Sequence, residues 1–386
     1  MKIIIYTLLS LFLMAVVGFF TFLPSRVDSG KNRVEFRPPY PVTGEITRLH
    51  QDLAIVDLHA DTLLWNRDIL KRSEWGHVDL HRLVEGNVLL QVFSVVTKTP
   101  RNLNLISNDD KSDSITLLAL AQLWPWKALV NLNERALYQA NRLQHYAEKS
   151  SGSLTLIRSG KDLQHFLEQR KAHKSMVASM LSLEGAHALE GKIENLDKLY
   201  NAGYRIIGLV HFFDNEVGGS AHGVDKSGLT GFGRQLIKQM EDRRMLVDLA
   251  HASPELIDDV MAMATRPVIV THTGIKGTCN KSRNLTDLQM LKISKAGGLI
   301  GIGFYPVAIC GQSPDDIARA ASYAKDLVGI KHIALGSDFD GAVPQPFDVT
   351  GLPLLTKALL AEGFSEEEVR LFMGENVIQF LLANLE

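Results

Sequence analysis

The sequence predicts an α/β fold, a (β/α)8 TIM-like barrel with a helical insertion between strands 2 and 3. Three observations carry this. Short apolar runs recur eight times, with helical patterns between them. The runs are nearly continuous rather than alternating, as strands buried on both faces require. The chain has 386 residues and 46% apolar content, enough for one barrel of roughly 250 residues with insertions. A doubly wound open sheet is the alternative that the same alternation allows.

The runs are "AIVDLHAD" (54–61), "VLLQVFSVV" (88–96), "SMVASMLSLEG" (175–185), "YRIIGLVHF" (204–212), "MLVDLAHAS" (245–253), "PVIVTHTG" (267–274), "GLIGIGFYP" (298–306) and "HIALGSDFDG" (332–341). The segments between them read as helices. "TGFGRQLIKQMEDRR" starts at Thr230 and places Phe232, Leu236, Ile237 and Met240 at helical spacing. "SPELIDDVMAMA" and "SPDDIARAASYAKDLVG" each open with Ser as cap and Pro at the first helical position. Residues 97–174 are too long for a simple crossover. They carry helical patterns around "WPWK" (124–127), where Pro125 breaks the helix, and read as a helical insertion.

Before the first run, residues 3–23 hold no charge and are long enough to span a bilayer of about 30 Å. The chain therefore divides into an N-terminal signal anchor or signal peptide (1–24), a Pro-containing polar linker (25–46) and a barrel domain (47–386). A membrane-anchored, exported domain is expected, with secretion after cleavage as the alternative. The C-terminal "VIQFLLANLE" has no long apolar tail, so a GPI signal is not supported. A formal net charge of −2 without like-charge blocks gives no reason to expect a nucleic acid partner. Cys279 and Cys310 form no CxxC, and either a disulfide or two unpaired buried thiols is open.

The ends of the runs are polar. His59 and Asp61 end the first, Glu184 the third, His211 the fourth, His251 the fifth, His272 the sixth, and Asp338 and Asp340 the eighth. In such a barrel the C-terminal strand ends face one mouth, where the active site lies. Imidazole nitrogen and carboxylate oxygen are ligands for zinc and similar divalent ions. His59 and Asp61, at i and i+2 on a strand, share a face and can grip one ion. His251 and His272, on adjacent strands, can hold a second, and Glu184 between them can bridge both. Two such ions can share and ionise a water. A lone histidine at a strand end is usually structural, but four of the thirteen histidines at equivalent ends are harder to explain that way. Asp340, in "DFDG", reads as a turn residue. His187 reads as a supporting or structural residue, and His222, in "GGSAHG", as a solvated loop residue. Arg283, in "NKSRNLTD", belongs to the rim and is the best available donor for a substrate carboxylate.

The ordered set "DLHAD", "SLEGAHAL", "LVDLAHAS", "VIVTHTG", "RNLTD" and "LGSDFDG" resembles the membrane (renal-type) dipeptidase family, peptidase family M19. The resemblance runs over roughly residues 50–384 and includes "GLTGFGRQLIKQM" and the closing "MGENVIQFL". It implies a hydrolase that releases amino acids from dipeptides, using two Zn2+ per chain and a metal-bridging hydroxide. It further implies His59 and Asp61 as ligands of the first zinc, Glu184 as the bridge, and His251 and His272 as ligands of the second. His211 would polarise the scissile carbonyl, Arg283 would hold the substrate carboxylate, and Asp338 would accept and pass on a proton. A homodimer is left open. Departures from mammalian members are the N-terminal apolar segment in place of a GPI signal and the altered loop "THTGIKGTCNKSRNLTD". Two rival readings remain: another binuclear amidohydrolase acting on a lactone or other amide, and a non-catalytic anchored binding protein. No lysine ends a predicted strand, as a carbamylated bridge would need, and no ligand position is missing.

Overall fold

The computed structural model describes residues 2–386. Nine strands follow in chain order: β1 (Ile55–Ala60), β2 (Val88–Val96), β3 (Leu154–Leu156), β4 (Val177–Glu184), β5 (Tyr204–Gly208), β6 (Leu246–Asp248), β7 (Ile269–Thr273), β8 (Leu299–Ile302) and β9 (Ile333–Leu335). Their order is β2-β1-β9-β8-β7-β6-β5-β4-β3, with a further β2–β4 pairing. That pairing, Leu90↔Ala178 through Val96↔Glu184, closes eight parallel strands into a barrel. All eight ring strands fall inside the predicted runs, and they are buried along their whole length. No face is left to water, which is why the runs do not alternate.

Helices surround the ring. Leu236, Leu256, Met290, Ile317 and Leu355 of five of them share one core with the barrel wall. A second core joins Val56, Leu90, Met180, Ile206, Ile269 and Ala334 of six ring strands to Val377 and Leu381 of the last helix, Asn376–Asn384. The helix starts follow the sequence signals. Ser253 and Ser313 accept backbone N–H bonds as N-caps, each with Pro in the first turn.

Before the barrel lie α1 (Lys2–Thr21), α2 (Leu23–Lys31) and α3 (Gly44–Gln51). Between β1 and β2 lies α4 (Leu80–Glu85), and the insertion carries α5 (Ile115–Ala121), α6 (Trp126–Val130), α7 (Leu132–Lys149) and α8 (Gly160–Ala172). Pro125 precedes α6 as its N-cap, so the break expected there is present. The insertion is not wholly helical, however. β3 pairs Leu154 with Val177 and Leu156 with Ser179 on β4, ahead of the stretch where β5 joins the same strand. Only Leu154 of β3 is fully buried, so it lacks the continuous apolar run that marked the ring strands.

Residues 25–46, read as a linker, are tied to the domain at several points. Asp28 of α2 is buried and pairs with Arg67, Nε to Oδ2 2.8 Å. Asn32 is also buried and accepts a bond from Ala342 N–H. Glu35 and Phe36 donate backbone bonds to Gln345 and Pro346. The polar composition that marked a linker serves these partners. Cys279 and Cys310 are joined in a disulfide with Cα atoms 5.3 Å apart, so neither is a free thiol. It ties the loop after β7 to the turn after β8.

Candidate active site

The strand ends deliver their polar residues to one point. His59 lies on β1 and Asp61 directly follows it; Glu184 is the last residue of β4; His272 lies on β7. His211, His251 and Asp338 come three residues beyond β5, β6 and β9. Glu184 is central. Its Oε1 lies 2.9 Å from His251 Nε2, 3.4 Å from His272 Nε2 and 3.7 Å from His59 Nε2. Its Oε2 lies 3.3 Å from His211 Nε2. His59 Nε2 is 3.4 Å from Asp61 Oδ1, and both atoms are buried without a hydrogen-bond partner in the protein.

Three groups have donor atoms within 4.8 Å of one another: His59, Glu184 and His272; Glu184, His211 and His251; His59, Asp61 and Asp338. All seven of these residues are buried. Arg283, expected on the rim, is 8% exposed and reaches in, Nη2 donating to the His272 carbonyl at 3.2 Å.

The local backbone is shaped for this. His251, Asp338 and Asp340 have φ of 63°, 62° and 60°. The left-handed region costs a non-glycine residue about 1 kcal/mol or more, a price surrounding structure must outweigh. Gly185, at φ 98°, follows Glu184 where a Cβ would lie 2.3 Å from the His187 ring. No other residue fits there.

Neighbouring groups orient the imidazoles. The Thr271 hydroxyl donates to Asp248 Oδ2 at 2.7 Å. Its oxygen lies 3.1 Å from His59 Nδ1 and 3.2 Å from His272 Nδ1. One hydroxyl thus favours Nδ1–H on both rings, which leaves both Nε2 lone pairs for the centre. Asp57 holds the Asp338 loop through Ser337, accepting from its N–H at 2.8 Å and its hydroxyl at 2.7 Å.

Electrostatics point the same way. Burial, and then the Asp61 carboxylate, push Glu184 well above the usual carboxylate range. Burial and Asp340 do the same to Asp61. Burial pushes Asp338 up to about 8. Burial, followed by neighbouring cationic or imidazole groups, lowers His211, His251 and His272 well below the usual histidine value. Neutral imidazoles facing crowded carboxylates are what a cation-binding donor set requires. A divalent cation among them relieves the carboxylate repulsion, so these residues fit a metal centre.

A cavity of about 370 Å3 opens onto this cluster. Its lining combines Asp61, Glu184, His251, Arg283 and Asp338 with the apolar Leu64, Trp65, Val96, Ile115 and Leu118, and with Val27 and Lys31 of α2.

Several contributors were not foreseen. Tyr305, at the end of one of the two runs that had supplied no site residue, is buried with its ring 4.9 Å from the Arg283 guanidinium. The signal was available, because "GFYP" is a strand end like the others. Asp340 is no mere turn residue. It is fully buried, pairs with Arg67 Nη2 at 2.7 Å and accepts from Thr62 Oγ1 at 2.8 Å and His77 N–H at 2.7 Å. Burial pushes its carboxyl up, but Arg67 and His77 outweigh this and hold it below the usual range. His222 is likewise buried, Nδ1 3.0 Å from the Leu105 carbonyl, not solvated. His187 is buried and bonds Thr97 Oγ1 at 2.9 Å, as its supporting role anticipates.

Residues 43–383 match the model of the membrane dipeptidase family, peptidase family M19. Dipeptidase tcpJ of Claviceps purpurea is 28% identical over 316 residues, covering 79% of this chain and 69% of that one. The crystal structure of dipeptidase AC, a metallo peptidase of family M19, superposes with a TM-score of 0.70 at 25% identity, over 86% of this chain and 98% of its own. A metallo peptidase from Rhodobacter sphaeroides, solved with a phosphinate mimic of the dipeptide L-Ala-D-Ala, superposes with a TM-score of 0.69 at 24% identity, over 86% and 99%.

Proposed function

The chain belongs to the membrane dipeptidase family M19 and is a metallo-dipeptidase, and from that premise we propose which residues perform the hydrolysis and how. One observation carries the reading: the buried cluster around Glu184, where His59 Nε2 and Asp61 Oδ1 face each other unpartnered and the His251 and His272 Nε2 atoms close on Glu184 Oε1. We assign two Zn2+ per chain to it, one on His59 and Asp61, the other on His251 and His272, with Glu184 shared. Bound there, the ions would supply Lewis acidity and would acidify a water enough to serve as nucleophile near neutral pH.

This chain's residues do the rest. Arg283 pairs with the substrate's terminal carboxylate, and Tyr305 beneath it limits where the guanidinium can swing. Its nearness to the cluster, with Nη2 on the His272 carbonyl, admits only one residue on the carboxyl side of the scissile bond. His211, held through its carbonyl by the Ser220 hydroxyl, donates to the carbonyl oxygen and stabilises the tetrahedral oxyanion. Asp338, pushed up to about 8 by burial, exchanges a proton close to neutrality. It takes the proton from the attacking water and delivers it to the amine nitrogen as the C–N bond breaks. The L-Ala-D-Ala mimic held by the Rhodobacter sphaeroides enzyme supports dipeptides as substrates, including those with a D-residue second.

We further assign α1 as the membrane anchor. It is 20 residues long with mean hydropathy 2.6, and no side chain on it is fully buried. The disulfide fits a catalytic domain on the oxidising side of the membrane.

The test uses the full chain in detergent, since α2 lines the cavity. Metal content and hydrolysis of L,L- and L,D-dipeptides are measured with chelator and with zinc add-back. Two zinc ions per chain and chelator-sensitive cleavage of dipeptides but not tripeptides is the expected result. Two metals without dipeptide turnover would redirect the site to other amides or lactones, and absence of bound metal would remove the assignment.

A further inference from the structure

We propose that the outer faces of α5 and α6, together with α2, seat on a lipid bilayer and hold the mouth of the catalytic cavity at the lipid–water interface. This goes beyond the catalytic reading and rests on the assignment of α1 as an anchor.

The first observation is where apolar surface is exposed. Outside α1, fourteen large hydrophobic side chains are exposed among the described residues, and eight of them fall within residues 103–130. Scattered exposed apolar residues are ordinary; a concentration in one short stretch marks an interaction surface. Leu117 and Leu120 lie three apart on α5, and Trp126 and Val130 four apart on α6, so each pair shares a helix face. Leu123 stands between the helices at 71% exposure and Trp126 at 73%.

The second observation identifies the occupant. Both α1 and α2 pack against α5. Along α1, Lys2–Ala15 are exposed and partial cover begins at Val16, so only its C-terminal end meets the domain. At 1.5 Å per residue its 20 residues span about 30 Å, the thickness of the hydrocarbon core. A surface joined to the end of such a helix lies at the boundary of that core. The chemistry suits the boundary. Tryptophan favours the headgroup level, and Trp126 is followed by an exposed lysine, Lys127. Arg26, Lys31, Arg33 and Arg37 are exposed just past α1, against Asp28 and Glu35, and Asp28 is already paired with Arg67. Cations so placed attract anionic headgroups.

The third observation ties the surface to the cavity. Val27 and Lys31 of α2, Leu118 of α5, and the exposed Leu103 and Leu105 all line it.

The experiment uses the full chain in vesicles of phosphatidylcholine and phosphatidylglycerol. Flotation after an alkaline wash reads the anchor. Tryptophan emission is then quenched with phosphatidylcholine brominated on its acyl chains. Trp65 and Trp124 are buried and Trp75 is partly covered, leaving Trp126 as the exposed indole. The wild-type chain floats and is quenched, and W126F, a change at an exposed position, loses the quenchable emission. A floating chain whose quenching is absent or unchanged in W126F overturns the proposal while α1 remains an anchor. So does a Trp126 shielded from lipid together with an L120K variant that converts a dimer to a monomer, which would assign the face to a second copy. A chain that does not float overturns the anchor and the proposal together.

Discussion

Asp338 combines a left-handed backbone, φ 62°, with near-complete burial of a carboxyl pushed up to about 8. Neither feature favours folding, and both suit a group that must exchange a proton in a dry site. Asp338→Asn is expected to keep its metal and lose roughly 10²–10⁴-fold in kcat, read by metal analysis beside steady-state kinetics. Near-normal kcat with metal intact would withdraw the proton-transfer role. Arg283 is different in kind, because it is placed to bind and not to react. Arg283→Ala should raise KM for dipeptides roughly 10–100-fold, the worth of a charge-assisted pair, with a smaller change in kcat. An unchanged KM would remove it as the carboxylate anchor.

At the scale of elements, two connections hold the loops that carry the site. The Cys279–Cys310 disulfide closes a loop of sequence separation 31 and pins the segment that carries Arg283 against the turn that carries Tyr305. Its replacement by two serines should cost about 3 kcal/mol and raise KM more than it lowers kcat, which calorimetry and kinetics would show. Equal stability would mean that the loop is held by its other bonds. The second connection is the buried chain Asp28–Arg67–Asp340, which joins α2 to the loop two residues past Asp338. Asp28→Asn keeps the shape but loses a charge beside Arg67, and should cost about 1–3 kcal/mol in unfolding experiments. Deletion of residues 1–34 removes Asp28 and one wall of the cavity, and activity should fall with it. A fully active truncated chain would reduce α2 to a spacer.

The whole molecule should be acid-labile in a defined window. Burial lowers His50 to about 4, His187 to about 3 and His222 to about 4. In the unfolded chain these groups take up protons near 6.5, before the folded protein can. Folding is therefore fully supported above about pH 6.5 and loses support as pH falls toward about 4. Urea midpoints measured across this range should drop with pH, and less steeply in His50→Gln. His50 lies away from the site, bonded to Thr356 Oγ1 at 2.8 Å and the Gly86 carbonyl at 3.1 Å, so metal release does not confound that comparison. An identical slope in the variant would exclude His50 as a contributor.

What could be read from the sequence alone was whatever repeats along the chain or sits at a fixed offset from it. Strands buried on both faces must be apolar throughout, so all eight ring strands were visible, and the polar residues ending six of the runs marked the mouth at which His59, Glu184, His251 and His272 meet. β3 escaped because only Leu154 of its three residues is fully buried, so it lacks the continuous apolar run that marks the ring strands. Tertiary structure alone decided whatever depends on a partner remote in sequence. Asp340 reads as a turn until Arg67 lies against it, His222 as a loop residue until the Leu105 carbonyl covers it. Cys279 and Cys310 were free to pair or not until β7 and β8 placed them 5.3 Å apart, and residues 25–46 read as a linker throughout until Asp28 and Asn32 were buried. The physical reason is common to all four. Burial periodicity is a property of a local segment, whereas the energy of an ion pair, a disulfide or a buried hydrogen bond depends on a distance that exists only once the chain has closed.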